Sequence, residues 1–207
     1  MIEASLLRSR VGYASNCYLL SSGENYAVVD PSVSFDEASR QRFIKPQTVK
    51  YIIVTHAHFD HILEIDSWVK ATDAKVLVGE ADRCGLSDPV RNCYSMFLGT
   101  NSGYFGDSIP LSDNSNIPLG EDFINVISLP GHTPGGIGLY FNDTLIVGDT
   151  VFVGGFGRYD LPGGDFDALK GSIKRVLSYP RDTLILPGHG EGAKISIINK
   201  HFPIFNL

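Results

Sequence analysis

Residues 55–61 constrain this chain more than any other stretch. They place three histidines and one aspartate within six positions, directly after a short apolar run of β-branched residues that is typical of a buried strand. Because side chains alternate along extended backbone, we expect His56 and His58 to share one side. The turn that follows should point Asp60 and His61 in a different direction from His56 and His58. One loop would thus present two ligand pairs, which suits two neighbouring metal ions.

Three later turns repeat the same arrangement of a ligand-type residue. His132, Asp149 and His189 each follow an apolar run and each have glycine beside them. A single histidine in a glycine-rich turn is weak evidence for metal binding, but the recurrence with residues 55–61 is strong. Three histidines within six positions, in a chain with six in all, outweigh the alternative that residues 55–61 are a polar loop in which Asp60 only caps a helix. Of the six histidines, only His201 stands apart, and we expect it at the surface.

The chemistry of this residue set favours a pair of metal ions. Imidazoles and carboxylates suit zinc, and also iron or manganese, and the set contains no thiolate. Asp149 is the natural bridge because it is the lone acid of its turn. Two ions about 3.5–4 Å apart can share a hydroxide, since metal binding lowers the pKa of water to about 7. Such a site needs no serine or cysteine nucleophile, and the sequence offers no Gly-x-Ser-x-Gly elbow.

Length and composition set the outer bounds. The 207 residues suffice for one domain spanning 1–207, with 43% apolar and 19% charged residues. The formal charge of −6 and the absence of a basic tract disfavour a long nucleic-acid footprint. Three cysteines at unrelated spacings indicate neither a disulfide framework nor a Cys-x-x-Cys motif. With no signal-like or membrane-spanning run, we expect a cytoplasmic protein.

The order of predicted elements indicates an α/β fold with two sheets packed together and helices outside. Strands are expected at 2–7, 17–20, 26–30, 51–54, 75–78, 123–129, 137–141, 144–147 and 183–186. Helical segments are expected at 35–45, 62–72, 80–86, 165–177 and 193–200. Residues 88–120 are read as irregular, which leaves open a functional lid or binding loop and a variable surface excursion.

The His-x-His-x-Asp-His motif, followed by a later His, Asp and His, resembles that of the metallo-β-lactamase fold superfamily. The resemblance covers nearly the whole chain and implies a four-layer αββα sandwich, a single domain with the metals at one edge of the two sheets. It implies that His56, His58 and His132 hold the first metal. It also implies that the second metal is held by Asp60, His61 and His189, with Asp149 bridging the two.

Within that superfamily the chain looks similar to the small glyoxalase II-like hydrolases. Residues 148–152 and 157–160 carry this likeness, which implies that Arg158 helps to hold the substrate, with Tyr159 a weaker candidate. A solvated surface arginine is the alternative for Arg158. Only 18 residues follow His189, too few for the helical domain that glyoxalase II adds after it. The identity of the substrate's thiol therefore stays open: it is glutathione, another cellular thiol or coenzyme A.

The ligand set predicts a dinuclear metal-dependent hydrolase that acts through metal-bound hydroxide, with Asp60 and Asp149 as catalytic residues. The resemblance implies that its substrate is an S-acylglutathione-like thioester. The expected partner is a small-molecule thioester, with neither nucleic acid nor membrane, and the oligomeric state is open. Three alternatives remain. The first is a mononuclear-iron persulfide dioxygenase, and the second is a phosphodiesterase or nuclease of the same superfamily. The third is a metal-binding scaffold without activity.

Overall fold

Two six-stranded β-sheets form the centre of the structure, a computed structural model that describes residues 1–201. The side chain of His201, expected at the surface, lies outside the described residues. The first sheet runs in the order β1 (Glu3–Leu7), β2 (Cys17–Ser22), β3 (Asn25–Val29), β4 (Val49–Val54), β5 (Lys75–Gly79) and β6 (Ile109–Leu111). The second runs in the order β14 (Ala193–Lys194), β13 (Leu184–Pro187), β10 (Thr144–Gly148), β9 (Ile137–Phe141), β8 (Asp122–Ser128) and β7 (Asn116–Leu119).

Helices and short turns connect these strands. The helices are α1 (Phe35–Arg42), α2 (Ile65–Ala71), α3 (Tyr94–Leu98), α4 (Phe166–Leu177) and α5 (Ile195–Ile198). Turns of 3-10 helix occupy Pro46–Thr48, Phe59–His61, Glu80–Leu86 and Asn199–His201, and a small ribbon pairs β11 (Val151–Phe152) with β12 (Gly155–Phe156). Strands β3 to β6 are parallel, as are β10 and β13. Parallel neighbours require crossover connections, which is why helices cover the outer faces.

The alternation of side chains along β4 separates the layers. Ile52 lies in the apolar core between the first sheet and helices α1 and α2, whereas its neighbour Ile53 lies in the core between the two sheets. A third core joins the outer face of the second sheet to α4, through Leu169 and Ile173, and to α5. The predicted αββα sandwich is thereby confirmed.

Most predicted elements are present, with ends that differ by a few residues. Helix α1 stops at Arg42 rather than at residue 45 because Phe43 takes a left-handed conformation and its N–H bonds to Ser39 O. Its predicted cap is confirmed, since the Ser34 hydroxyl accepts from the N–H of Glu37. The predicted helix 62–72 begins later, at Ile65. The prediction of a last helix over 193–200 was wrong for its first two residues, because residues 193–194 form a strand that pairs with β13.

Residues 88–120 contain three elements that the sequence did not predict, namely α3, β6 and β7. Both strands lie at a sheet edge, and each contains a proline, Pro110 or Pro118. Proline argues against a central strand but is tolerated at an edge, where its missing N–H faces away from the ladder. The segment therefore extends both sheets at their edges.

Across residues 1–201, none of the helices has the length and apolar character needed to cross a membrane.

Candidate metal centre

The seven predicted ligands meet where strands of both sheets end. Three buried imidazoles form the first triad, His56, His58 and His132, whose ligand atoms lie within 4.8 Å of one another. The Nδ1 atom of His58 lies 2.9 Å from the Nε2 atom of His132. His56 and His58 follow β4, and His132 comes from the loop after β8. The expected grouping of the first two histidines is therefore present.

The second triad consists of Asp60, His61 and His189, with ligand atoms again within 4.8 Å of one another. The Nε2 atom of His189 lies 3.0 Å from Asp60 Oδ2, and that of His61 lies 3.8 Å from the same oxygen. Asp60 and His61 belong to the 3-10 turn that follows His58. This turn redirects the chain and separates the two ligand pairs, as the sequence predicts.

Asp149 lies between the two triads. One of its carboxylate oxygens, Oδ1, is 3.4 Å from His61 Nε2, while Oδ2 is 3.7 Å from the Nε2 atoms of both His132 and His189. It also groups with His56 and His61 as a possible ligand set within 4.8 Å. A carboxylate that reaches both triads has the geometry of a bridging ligand.

The unpaired polar atoms of the cluster indicate that it is built to bind cations. Among the described residues, Nε2 of His56, His58 and His61 and Oδ1 of Asp149 are buried without a hydrogen-bond partner. Buried polar groups normally have partners, and a metal ion supplies one for lone pairs. The donors are nitrogen and oxygen atoms, which suit zinc, iron and manganese. The residues therefore fit two divalent ions.

The two triads differ in their protonation. Burial, with the neighbouring His61, lowers the pKa of His56 well below its usual range, and burial lowers the pKa of His58 to about 3. Both imidazoles are therefore neutral near pH 7 and have lone pairs for a metal. Burial opposes ionisation of Asp149, yet its pKa lies below the usual range because of the adjacent His61. The hydrogen bond to Asp60 raises the pKa of His189.

A buried aspartate that the sequence analysis missed supports the second triad. Asp30 Oδ2 lies 2.9 Å from His61 Nδ1, and its carboxylate also accepts from the N–H and hydroxyl of Thr55. Burial by itself would lower the pKa of His61, but Asp30, Asp60 and Asp149 together raise it well above the usual range. The contact to Nδ1 orients the ring so that Nε2 faces the other ligands. The signal was present, because Asp30 also follows an apolar strand.

A second missed aspartate, Asp82, joins the two loops of the first triad. Its Oδ2 accepts from the N–H of Ala57, between two ligands, and from the Thr133 hydroxyl, next to His132. Its Oδ1 accepts from the N–H of Gly135 at 2.7 Å. A Cβ at Gly135 would overlap the backbone nitrogen of Asp82. No sequence signal pointed to Asp82, which lies in the 3-10 turn Glu80–Leu86 and whose hydrogen bonds go to residues beside the ligands.

Residues near the start of the chain hold the loop of His189. The N–H of Asn16 donates to Gly188 O at 2.7 Å, and its side-chain amide donates to the carbonyls of Pro187 and Gly190 at 2.9 Å. A Cβ at Gly188 would overlap Asp149 Oδ1. Glycine is therefore required beside His189 so that the backbone can approach the carboxylate.

The two predicted substrate-binding residues have different surroundings. The carbonyl of Arg158 lies 2.6 Å from His132 Nδ1, so its backbone adjoins the first triad. Its exposed guanidinium makes a two-fold ion pair with Asp160, at 2.9 Å to each oxygen. The Tyr159 ring packs on Phe166 with centroids 4.8 Å apart. The guanidinium is therefore near the site but already paired, and the tyrosine ring belongs to a neighbouring aromatic cluster.

Comparison with known sequences gives one family. The sequence profile described as the Metallo-beta-lactamase superfamily matches residues 10–189. A Bacillus subtilis protein named "Probable metallo-hydrolase YqgX" is 30% identical, and the alignment covers 93% of this chain and 92% of that protein. The "Hydroxyacylglutathione hydrolase GloC" of Haemophilus influenzae is 26% identical, with 94% of each chain covered.

Solved structures give the same fold. The structure titled "BLEG-1 B3 metallo-beta-lactamase" superimposes with a TM-score of 0.88 over 100% of both chains, at 27% identity. The structure titled "TTHA1623 in a di-iron-bound form" superimposes with a TM-score of 0.84, at 29% identity, over 97% of this chain and 100% of that one.

Proposed function

Because the chain belongs to the metallo-beta-lactamase superfamily, whose profile matches residues 10–189, we propose that this metal-dependent hydrolase binds two ions and cleaves thioesters of glyoxalase II type. The observation that carries the proposal is the position of Asp149 between two complete triads. A mononuclear site needs only one of them.

Each group in the site has a role in this proposal. When bound, two such ions supply hydroxide at neutral pH and polarise a carbonyl oxygen. Asp149 contacts ligands of both triads and fixes their separation. Asp60, a member of the second triad, orients the attacking water through its carboxylate. Burial keeps His56 and His58 unprotonated, so they stay available as ligands.

The thioester is supported by likeness to GloC along almost the whole chain. The ions are proposed as zinc, with iron or manganese as alternatives, and the di-iron relative at 29% identity supports keeping iron among them. The structural relative titled as a B3 metallo-beta-lactamase makes β-lactam hydrolysis the second candidate, because its likeness spans both chains completely. Both reactions place a carbonyl carbon beside the same ligand set.

The test combines metal content with turnover. Protein expressed without added metal is analysed by mass spectrometry for metal per chain, and assayed with lactoylglutathione and with a chromogenic β-lactam. Two ions per chain with thioester cleavage that a chelator abolishes is the expected result. β-Lactam cleavage without thioester cleavage would select the second candidate. One iron per chain, with oxygen uptake on a glutathione persulfide and no hydrolysis, would overturn both in favour of a dioxygenase.

A further inference from the structure

Four aromatic residues form a group beside the metal centre, which we call the rim cluster. They are Tyr13, Phe59, Tyr94 and Phe97. Phe59 is the centre of the group, and its ring centroid lies 5.8 Å from Tyr13, 5.7 Å from Tyr94 and 5.4 Å from Phe97. In sequence, Phe59 lies between two predicted ligands, one from each triad. The rim cluster is therefore anchored on the metal-binding loop itself.

Phe97 of the rim cluster lies near Arg158, which belongs to the loop beside His132. The guanidinium carbon of Arg158 lies 6.0 Å from the centroid of the Phe97 ring, while the Arg158 carbonyl lies 2.6 Å from His132 Nδ1. The Phe97 ring thus stacks on Phe59 and lies near the guanidinium of Arg158, a residue whose carbonyl adjoins His132. These two contacts place its ring at the edge of the metal centre.

The cluster has a buried base and an exposed surface. Phe59 and Tyr94 are buried, whereas Phe97 is 46% exposed and Tyr13 is 51% exposed. The Phe97 and Phe59 rings are stacked with an interplanar angle of 24°, so the exposed ring packs on the buried one. Asp160 neutralises the adjacent guanidinium. The surface beside the metal centre is therefore aromatic, and the adjoining Arg158–Asp160 pair carries no net charge.

We propose that the rim cluster binds an apolar, preferably aromatic, acyl group of the substrate, and that Phe97 determines this specificity. The inference rests on the proposed thioesterase function and names its substrate class. A planar acyl group packs edge-to-face against the exposed edge of the Phe97 ring while the thioester carbonyl lies at the metal ligands. Helix α3 would then explain why residues 88–120 are present, as a specificity element rather than a variable excursion.

The test is a series of acyl groups on one thiol. Lactoyl-, butyryl- and phenylacetyl-glutathione are hydrolysed by the wild type, by Phe97→Ala and by Phe105→Ala. Phe105 is a matched control because it belongs to the same segment and is 74% exposed. We expect Phe97→Ala to raise KM for the phenylacetyl ester about five- to tenfold, the effect of losing one aromatic contact, and to leave the lactoyl ester unchanged. Phe105→Ala is expected to change neither.

An equal effect of Phe97→Ala on all three esters, or none, would overturn the proposal, as would the same loss in Phe105→Ala. A binding measurement separates this failure from failure of the thioesterase itself. Calorimetry with S-benzylglutathione and S-methylglutathione needs no turnover. Tighter binding of the benzyl compound that Phe97→Ala removes supports the rim cluster even if no thioester is cleaved. Equal binding of both compounds to the wild type counts against it even if thioesters are cleaved.

Discussion

The two triads of the metal centre are built differently. His56, His58 and His132 are all buried, and Asp82 joins their loops through backbone and hydroxyl groups. In the second triad, the His189 side chain is 38% exposed, and the rings are held by carboxylates, with Asp30 on His61. The first triad is thus joined by hydrogen bonds from its loops to Asp82, whereas in the second triad carboxylates contact the histidine rings directly. We expect the first ion to be held more tightly.

The largest expected effect comes from removing one ligand of either triad. His58→Ala should eliminate the ion of the first triad and reduce turnover by orders of magnitude, because the first triad loses one of its three imidazoles. His189→Ala should eliminate the ion of the second triad and leave the first in place. Metal content per chain and kcat measure both effects. If either variant released both ions, the two triads would be one cooperative site and the comparison would fail.

The two supporting aspartates sharpen the comparison. Asp30→Asn should weaken the second site about 10- to 100-fold, the usual cost of losing a group that bonds a ligand ring, and leave the first site unaffected. Asp82→Asn should weaken the first site by a smaller factor and leave the second unaffected, because Asp82 bonds residues beside the ligands. Competition with a chelator, followed by absorption of the cobalt-substituted protein, resolves the two affinities. Thr133→Ser keeps the hydroxyl on Asp82 and serves as the control. Equal losses at both sites in either variant would indicate general destabilisation instead.

Acidification should release the two ions in order. Protons compete with metal for imidazole nitrogen, so a histidine with a raised pKa loses its metal at a higher pH than one with a lowered pKa. The pKa of His189 is raised by its bond to Asp60, and that of His58 is lowered by burial to about 3. Titration from pH 7.5 to pH 5 should therefore release the second ion first. Simultaneous release, followed with a zinc-sensitive dye, would contradict the assigned difference between the triads.

Arg158→Ala should have the smallest effect. Its carbonyl, rather than its side chain, lies beside His132, and Asp160 already occupies the guanidinium. Both ions should stay bound, and KM for a glutathione thioester should rise only a few-fold, consistent with the modest contribution of exposed ion pairs. Asp160→Asn is the companion variant, since it frees the guanidinium for an anionic substrate. An unchanged KM in both variants would retire Arg158 as a substrate-binding residue.

The sequence predicted the residues that cluster at this site because each has a local signal. His132, Asp149 and His189 follow apolar strands and have glycine beside them, and strand ends converge at a sheet edge in this class of fold. Asp82 had no such signal, because its three hydrogen bonds go to residues distant in the sequence. Helix α3 was missed for a related reason. The Asn92 side-chain amide, two residues before the helix begins, donates to Leu86 O and Ser102 O. Such contacts have no signature in a short polar stretch of sequence.

The bonds from Asn16 to Pro187, Gly188 and Gly190 also determine when the site can form. They join residues 171 or more positions apart, so the loop of His189 gains its support only after nearly the whole described chain has been synthesised and folded. Contacts of such long range slow folding. A ribosome-bound chain that lacks β13 already contains Asn16, but it has neither His189 nor the carbonyls to which Asn16 donates. The second triad is therefore completed last. Binding of a second ion would then indicate that the chain has finished folding.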